Sequence, residues 1–257
     1  MANNAAIGVY DSGLGGLSVW REVRRALPEE SLIYLGDGKH CPYGSRSREE
    51  VARLADEAVQ HLVNRGCKLV VVACNTATAA AIEELRTKYA PMPIVGMEPA
   101  VKPACLQTKS RVVGVLATER SLEGDLFKRT AAKYGTDIEV ITAAGRGFVE
   151  LVEADCEDSE EAVACVGEAM HEMLERGADH IVLGCTHYPF LLDAMRRAAA
   201  GRTVTFVDAS AAVARRVEQL LDAHDLRAEQ GHTPQDVFET FADEAYRRRL
   251  EQKALAE

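Results

Sequence analysis

Short apolar runs alternate with longer stretches of helical periodicity along the whole chain. The runs predict strands at Ala6–Tyr10, Leu32–Leu35, Leu69–Ala73, Ile94–Met97, Val112–Leu116, Ile138–Ile141, His180–Leu183 and Val204–Val207. Most are continuously apolar rather than alternating, which is the pattern of parallel strands covered on both faces. One intervening helix is well specified. Ser47 and Glu50 form a capping-box pattern, and Val51, Leu54, Ala55, Ala58, Val59, Leu62 and Val63 follow at helical spacing, with Gly66 where a stop belongs. The acidic segment Glu157–Glu161 reads as the start of another helix, and a charged helix is expected from about Asp243. The fold class is therefore α/β with mostly parallel sheets.

The pattern also repeats. Arg-Gly-Cys-Lys-Leu-Val-Val-Val-Ala-Cys-Asn-Thr (65–76) aligns with Arg-Gly-Ala-Asp-His-Ile-Val-Leu-Gly-Cys-Thr-His (176–187). Ile7-Gly8-Val9 aligns with Val113-Gly114-Val115, and Ile94–Met97 with Val204–Val207, at nearly the same offset. Three matches at one spacing predict two homologous halves, although apolar strands also resemble one another by chance. The length of 257 residues suits one large or two small α/β domains.

Composition narrows the function. A net charge of -10 disfavours nucleic acid, which requires a basic face. It also means that an anionic ligand must be held by local donors such as helix N-termini. No apolar run reaches the length of a membrane span, and the residues before Ile7 lack the pattern of a signal peptide. Seven cysteines without a C-x-x-C pair read as free thiols in a reducing cytoplasm rather than disulfides or structural zinc.

Two of those cysteines stand out. Cys74 and Cys185 occupy equivalent places in the repeat, each after an apolar strand and before a hydroxyl-bearing turn into an expected helix. Ligands of parallel α/β sheets bind at that strand end, and a helix N-terminus favours thiolate. Two halves facing each other would set the thiols on opposite sides of one cleft, an arrangement that removes a proton from one face of a carbon and delivers one to the other. An ordinary thiol, with a pKa of about 8.5, is matched to both tasks. A single buried cysteine is usually a small hydrophobe, and the other five, Cys41, Cys67, Cys105, Cys156 and Cys165, read that way.

Further polar groups surround these positions. Asn75, Thr76, Thr186 and His187 can bind a carboxylate together with backbone amides; the first three can instead simply cap helices, and His187 can assist the neighbouring thiol or be hydrogen-bonded structure. Asp11 and Ser12, in the glycine-rich turn after the first strand, can hold an ammonium group, orient a thiol, or act as an N-cap. Tyr43 and Gly44, in Cys-Pro-Tyr-Gly-Ser, can offer backbone amides to an anion, or Tyr43 can be packing. A competing reading is dinucleotide binding, because Gly13-x-Gly15-x-x-Ser18 nearly matches the fingerprint and Asp37 ends the second strand where a ribose-binding acid belongs. That reading leaves the paired cysteines unexplained. A third is a binding protein without catalysis, since fold does not fix function.

The motifs Asp11-Ser12-Gly13-x-Gly15-Gly16-Leu17-Ser18, Cys41-Pro42-Tyr43-Gly44-Ser45-Arg46-Ser47, Ala73-Cys74-Asn75-Thr76-Ala77, Val95-Gly96-Met97-Glu98-Pro99-Ala100, Leu183-Gly184-Cys185-Thr186-His187-Tyr188-Pro189 and Val207-Asp208 run in order over nearly the whole chain. In them the sequence resembles the bacterial glutamate racemases of the aspartate/glutamate racemase superfamily. The resemblance implies two pseudo-symmetric, doubly wound domains, 1–98 completed by 208–257 and 99–207, with the active site between them. It implies interconversion of L- and D-glutamate without cofactor or metal, supply of D-glutamate for peptidoglycan, a cytoplasmic homodimer, and no nucleic-acid or membrane partner. Aspartate is the rival substrate within the superfamily. Cys74 and Cys185 become the acid/base pair, with Asp11 near the first and Glu153 and His187 supporting the second. Asp11, Ser12, Tyr43, Gly44, Asn75, Thr76, Thr118, Thr186 and His187 fall on substrate-binding positions. Glu153 has no signal of its own and would otherwise pass as a helix-surface residue. The sequence departs from the family at Gly38-Lys39, Ala143-Ala144-Gly145 and Ala209-Ser210, none of them an expected catalytic position.

Overall fold

The computed structural model describes residues 3–256 except 124, 135 and 136. In chain order the elements are β1 (Ile7–Asp11), α1 (Leu17–Ala26), β2 (Leu32–Gly36), α2 (Arg48–Asn64), β3 (Leu69–Val72), α3 (Asn75–Lys88), β4 (Ile94–Gly96), α4 (Val101–Gln107), β5 (Val112–Ala117), α5 (Glu119–Glu123), α6 (Asp125–Tyr134), β6 (Glu139–Ala144), α7 (Phe148–Glu153), α8 (Glu160–Glu175), β7 (His180–Gly184), a 3₁₀ turn (Tyr188–Leu191), α9 (Leu192–Ala198), β8 (Thr205–Val207), α10 (Ser210–Ala223), β9 (Asp236–Thr240) and α11 (Glu244–Leu255). They form two compact units, one running to Met97 and resuming at Ser210, the other spanning Glu98–Ala209.

Every strand pairing among the described residues is parallel. The first sheet has the order β4-β3-β1-β2-β9 and the second β6-β5-β7-β8. Without β9, both sheets share one scheme: first strand beside second on one side and third on the other, then fourth. This common scheme is the structural counterpart of the internal repeat. The repeat extends to packing. A Cβ on Gly8 of β1 would lie 2.9 Å from Leu62 of α2, and one on Gly114 of β5 would lie 2.5 Å from Met173 of α8. In both units a helix side chain packs directly on a glycine of the central strand, and any larger residue there would have to displace it.

The eight expected strands form, with ends shifted by one to three residues. The sixth moves most, to Glu139–Ala144, because its partner β5 extends the ladder to Ala117 opposite Ala144. β9 is an addition. Its sequence, Asp-Val-Phe-Glu-Thr, has only two apolar residues among three polar ones, so it lacks the continuous apolar run of the inner strands, and it lies at the edge of the sheet. Phe238 holds it in place, buried against Trp20 at 5.3 Å and Tyr34 at 6.3 Å between ring centroids.

Ser47 caps α2 as expected, its hydroxyl accepting from the Glu50 amide at 3.1 Å. Only half of the capping box forms, since the Glu50 carboxylate turns to Arg46 instead. Val51, Leu54, Ala55, Ala58, Val59 and Leu62 are all buried on the sheet, where a side chain such as Leu62 contributes about 1.5–3 kcal/mol. α8 begins at Ser159, which caps the Ala162 amide, and α11 begins at Asp243, which caps that of Tyr246.

Candidate active site

In a sheet of this order the switch point lies between the first and third strands, and the loops leaving their carboxyl ends form the natural binding edge. In the first unit those loops carry Asp11-Ser12 after β1 and Cys74-Asn75-Thr76 after β3. The Ala73 amide still donates to the Tyr10 carbonyl at 2.7 Å, so the strand pairing holds up to the residue before the thiol. Cys74 is itself the N-cap of α3, with extended backbone and its sulfur accepting from the Ala77 amide at 3.4 Å. An amide donor and the positive end of a helix both favour negative charge on sulfur. The Ser12 hydroxyl lies 3.7 Å from the same sulfur, and Asp11 accepts from the Gly13 amide at 2.9 Å, fixing the turn that presents Ser12.

Because Cys74 is the cap, Asn75 and Thr76 are not; they are buried in the first turn. Asn75 donates weakly to the Met97 carbonyl at 3.4 Å, and its Oδ1 is buried with no hydrogen-bond partner. An orphaned buried acceptor costs about 1–3 kcal/mol, so it is suited to receive a donor from a ligand. The side chain of Tyr43 is packed, one of the two readings that the sequence leaves open. Its hydroxyl is buried, donating to Asp37 at 2.6 Å and accepting from Tyr10 at 2.8 Å, which leaves the backbone of Tyr43 and half-buried Gly44 for any ligand contact. The same contacts count against the dinucleotide reading. The fully buried Asp37 carboxylate is engaged by Tyr43 and by His40 at 3.0 Å, so it is not free to take a ribose.

The second unit builds its thiol position from other parts. Cys185 follows β7, but no α-helix starts there, contrary to expectation. A bend and turn lead into the 3₁₀ turn, where Pro189 and the bond from the Tyr188 amide to the Cys185 carbonyl at 3.1 Å favour the tighter coil. In place of a helix end, His187 stands by the sulfur, with Nδ1 at 3.8 Å. Its Nε2 lies 2.8 Å from Glu153, the last residue of α7. The imidazole is 1% exposed and the carboxylate 17%. A carboxylate on one ring nitrogen fixes the ring and stabilises its protonated form, so the other nitrogen can trade a proton with the sulfur. Thr186 is buried beside Cys185. Thr118 follows β5 and, in the alignment of Ile7 with Val113, is the counterpart of Ser12, the first residue after β1. Its hydroxyl caps α5, accepting from the Ser121 amide at 3.2 Å and donating to the Ser121 hydroxyl at 2.8 Å.

Three groups in or behind the site had no sequence signal. Tyr10 hides inside an apolar strand, His40 looks like a loop residue, and Tyr188 reads as part of a proline turn. Tyr188 packs edge-on to Phe148 at 5.0 Å, and its hydroxyl donates to the Gly145 carbonyl at 3.4 Å. A Cβ on Gly145 would lie 2.4 Å from that hydroxyl, so the small residues of Ala143-Ala144-Gly145 make room for the ring. The remaining cysteines differ in kind. Burial, with Glu239 adding and Arg65 opposing, pushes the Cys67 thiol up to about 12, and burial also raises Cys105 and Cys165. Such thiols are poorly suited to acid/base work near neutrality.

Comparison with known proteins agrees with this geometry. Residues 9–217 match the family model described as Asp/Glu/Hydantoin racemase. The chain is 45% identical over 248 residues to the glutamate racemase of Cupriavidus pinatubonensis, covering 96% of this chain and 90% of that protein. Its fold superposes on the Bacillus anthracis glutamate racemase isoform RacE1 with a TM-score of 0.88 at 31% identity, covering 98% of this chain and 94% of that one. It superposes on the Escherichia coli glutamate racemase, solved with L-glutamate and the activator UDP-MurNAc-ala, with a TM-score of 0.86 at 29% identity, covering 98% and 95%. With the family model spanning most of its length and both thiol loops inside the match, the chain belongs to the Asp/Glu/hydantoin racemase family.

Proposed function

We propose that this protein interconverts L- and D-glutamate, using Cys74 and Cys185 as its two acid/base groups and no organic cofactor. The observation that carries the reading is that the two thiols leave the same strand of two sheets with one topology, each with its own polar support. Inversion at carbon requires removal of a proton from one face and delivery to the other, a task that two separate groups on opposite sides divide between them. One sulfur, as thiolate, takes the α-proton; the other, as thiol, returns one to the opposite face, and the reverse reaction exchanges the roles. Ser12 and the α3 amides support Cys74, and the His187–Glu153 pair supports Cys185. The carbanionic intermediate needs donors placed where charge grows on the α-carboxylate, and the buried Asn75, Thr76 and Thr186 are suited to that contact. No lysine lies in either cysteine motif, so the sequence offers no Schiff-base partner there.

Glutamate is the substrate favoured by the relatives, which carry that activity in their names over most of this chain. Its product, D-glutamate, would serve peptidoglycan synthesis. The test is circular dichroism of purified protein with L-glutamate and, separately, L-aspartate. Decay of the glutamate signal to zero, at least about a hundredfold faster than any decay with aspartate, is expected. Equal or faster decay with aspartate would replace glutamate as the substrate, and decay with neither would remove the racemase reading.

A further inference from the structure

Gly38-Lys39, one of the places where the sequence departs from the family, plays no part in the reaction as described. The backbone at Gly38 is not left-handed, so its torsion angles do not call for glycine. What keeps a side chain out is α11. A Cβ on Gly38 would come within 2.6 Å of three atoms of the Tyr246 ring. One helical turn further on, the fully buried Leu250 crowds Gly36, where a Cβ would lie 3.1 Å from both of its methyl groups. Residues four apart share one face of a helix, so α11 seats two side chains on two glycines at the end of β2. Its first turn is fixed in place, since Asp243 accepts from the Tyr246 amide at 2.9 Å.

The end of β2 lies directly behind the turn that presents Ser12. A Cβ on Gly36 would lie 2.9 Å from the Gly13 carbonyl, so Leu250 and the turn meet over one glycine. The Asp37 amide donates to the Asp11 carbonyl at 2.9 Å, and the Gly38 amide to the Gly36 carbonyl at 2.9 Å. The Tyr34 hydroxyl, also from β2, donates to the Gly13 carbonyl at 2.7 Å. Both chain neighbours of Ser12 are therefore held by β2 and its exit. Ser12 in turn is the residue whose hydroxyl lies 3.7 Å from the Cys74 sulfur. Every step from Tyr246 to that sulfur is a contact within the first unit.

We propose that Tyr246 and Leu250 are positioning residues: seated on Gly38 and Gly36, they hold the end of β2 against the Asp11–Gly13 turn and so keep the Ser12 hydroxyl at the Cys74 sulfur. The inference rests on Cys74 being an acid/base group supported by Ser12. A hydroxyl that donates to a thiolate stabilises it, so withdrawing Ser12 raises the pH at which Cys74 ionises. General loosening acts in the opposite sense, because water entering a buried site favours the charged sulfur.

The test is the pH dependence of alkylation of Cys74, Cys185 and Cys67 by iodoacetamide, resolved by peptide mass spectrometry, alongside turnover of L-glutamate. The proteins compared are the native chain, Tyr246→Ala, Gly38→Thr and the two changes combined. Tyr246→Ala removes a half-buried ring and with it the support; Gly38→Thr forces the ring and the loop apart. Each should raise the Cys74 midpoint by on the order of half a pH unit and lower kcat/KM by about threefold to tenfold. The Cys185 midpoint should stay put, and Cys67, buried near the other end of β3, should stay unreactive. In the combined variant the threonine takes the space left by the ring, so the Cys74 midpoint should return from its Gly38→Thr value toward the native one. If Gly38→Thr does not fold, Tyr246→Ala carries the test. An unchanged or lowered Cys74 midpoint in Tyr246→Ala, exposure of Cys67 in the same variant, or a Gly38→Thr shift that Tyr246→Ala does not relieve would overturn the proposal. Failure of the underlying racemase reading would show separately, as undiminished turnover in Cys74→Ala.

Discussion

Cys74 and Cys185 occupy the same place in two copies of one topology, yet their surroundings share almost nothing. Cys74 is the N-cap of a 14-residue helix and takes an amide of that helix onto its sulfur. Cys185 has no α-helix behind it and instead has an imidazole, itself backed by a carboxylate. A strand end fixes where a thiol sits, whereas the supply of charge to it comes from whatever the following residues build. In the first copy Asn75-Thr76-Ala77 continues into helix without hindrance. In the second, Thr186-His187-Tyr188-Pro189 enters a 3₁₀ turn, which brings His187 back to the sulfur it follows. Under the proposed mechanism, near-symmetric chemistry on the two faces of a carbon does not need symmetric parts.

The largest expected effect concerns what the two positions have in common. Cys74→Ala and Cys185→Ala should each cut racemisation of glutamate by about a thousandfold or more while the protein stays folded, because groups that act as a unit fail together. Steady-state rates from both enantiomers measure this. Loss at one site and near-normal turnover at the other would make the pair unequal in function as well as in form, and would leave a one-base mechanism.

A smaller effect isolates the difference between them. Serine is a strong N-cap and alanine a poor one. Cys74→Ser should therefore be more stable than Cys74→Ala by about 1 kcal/mol, read from urea or thermal unfolding. Cys185→Ser should show no such gain over Cys185→Ala, since no α-helix begins there. An equal difference at both sites would mean that the helix end is not what distinguishes Cys74.

Much of this was legible in the sequence because it rests on local pattern. The eight central strands are apolar runs, the cap of α2 is a serine three residues before a glutamate, and the duplication shows in aligned segments that carry both cysteines. What escaped depends on partners far away in the chain. β9 has just two apolar residues, Val237 and Phe238, and becomes a strand only because β2 offers an edge and Trp20 and Tyr34 receive Phe238. Glu153 looks like surface helix until α7 places it 2.8 Å from His187. For Tyr43 the sequence leaves packing and backbone contact both open, and the partners that engage its hydroxyl, Tyr10 and Asp37, stand 33 and 6 residues away. The helix expected after Cys185 failed for a local reason, the proline at the start of the 3₁₀ turn, whose weight was missed because the matching segment after Cys74 is helical.

The central claim is that two thiols, one in each unit, divide the proton traffic. A thiol carries a single proton, so a sulfur that abstracts the α-hydrogen holds it until it is returned or lost to solvent. Return to substrate restores the original hydrogen; completion to product delivers a hydron from the other sulfur, already equilibrated with solvent. The direct measurement is racemisation in deuterated water, stopped at low conversion, with mass spectrometry of the chirally separated glutamate, started from each enantiomer in turn. Product carrying deuterium at the α-carbon, beside remaining substrate carrying almost none, is the result expected in both directions. Substantial protium in early product would contradict the two-thiol account, because it would mean that one base serves both faces of the carbon.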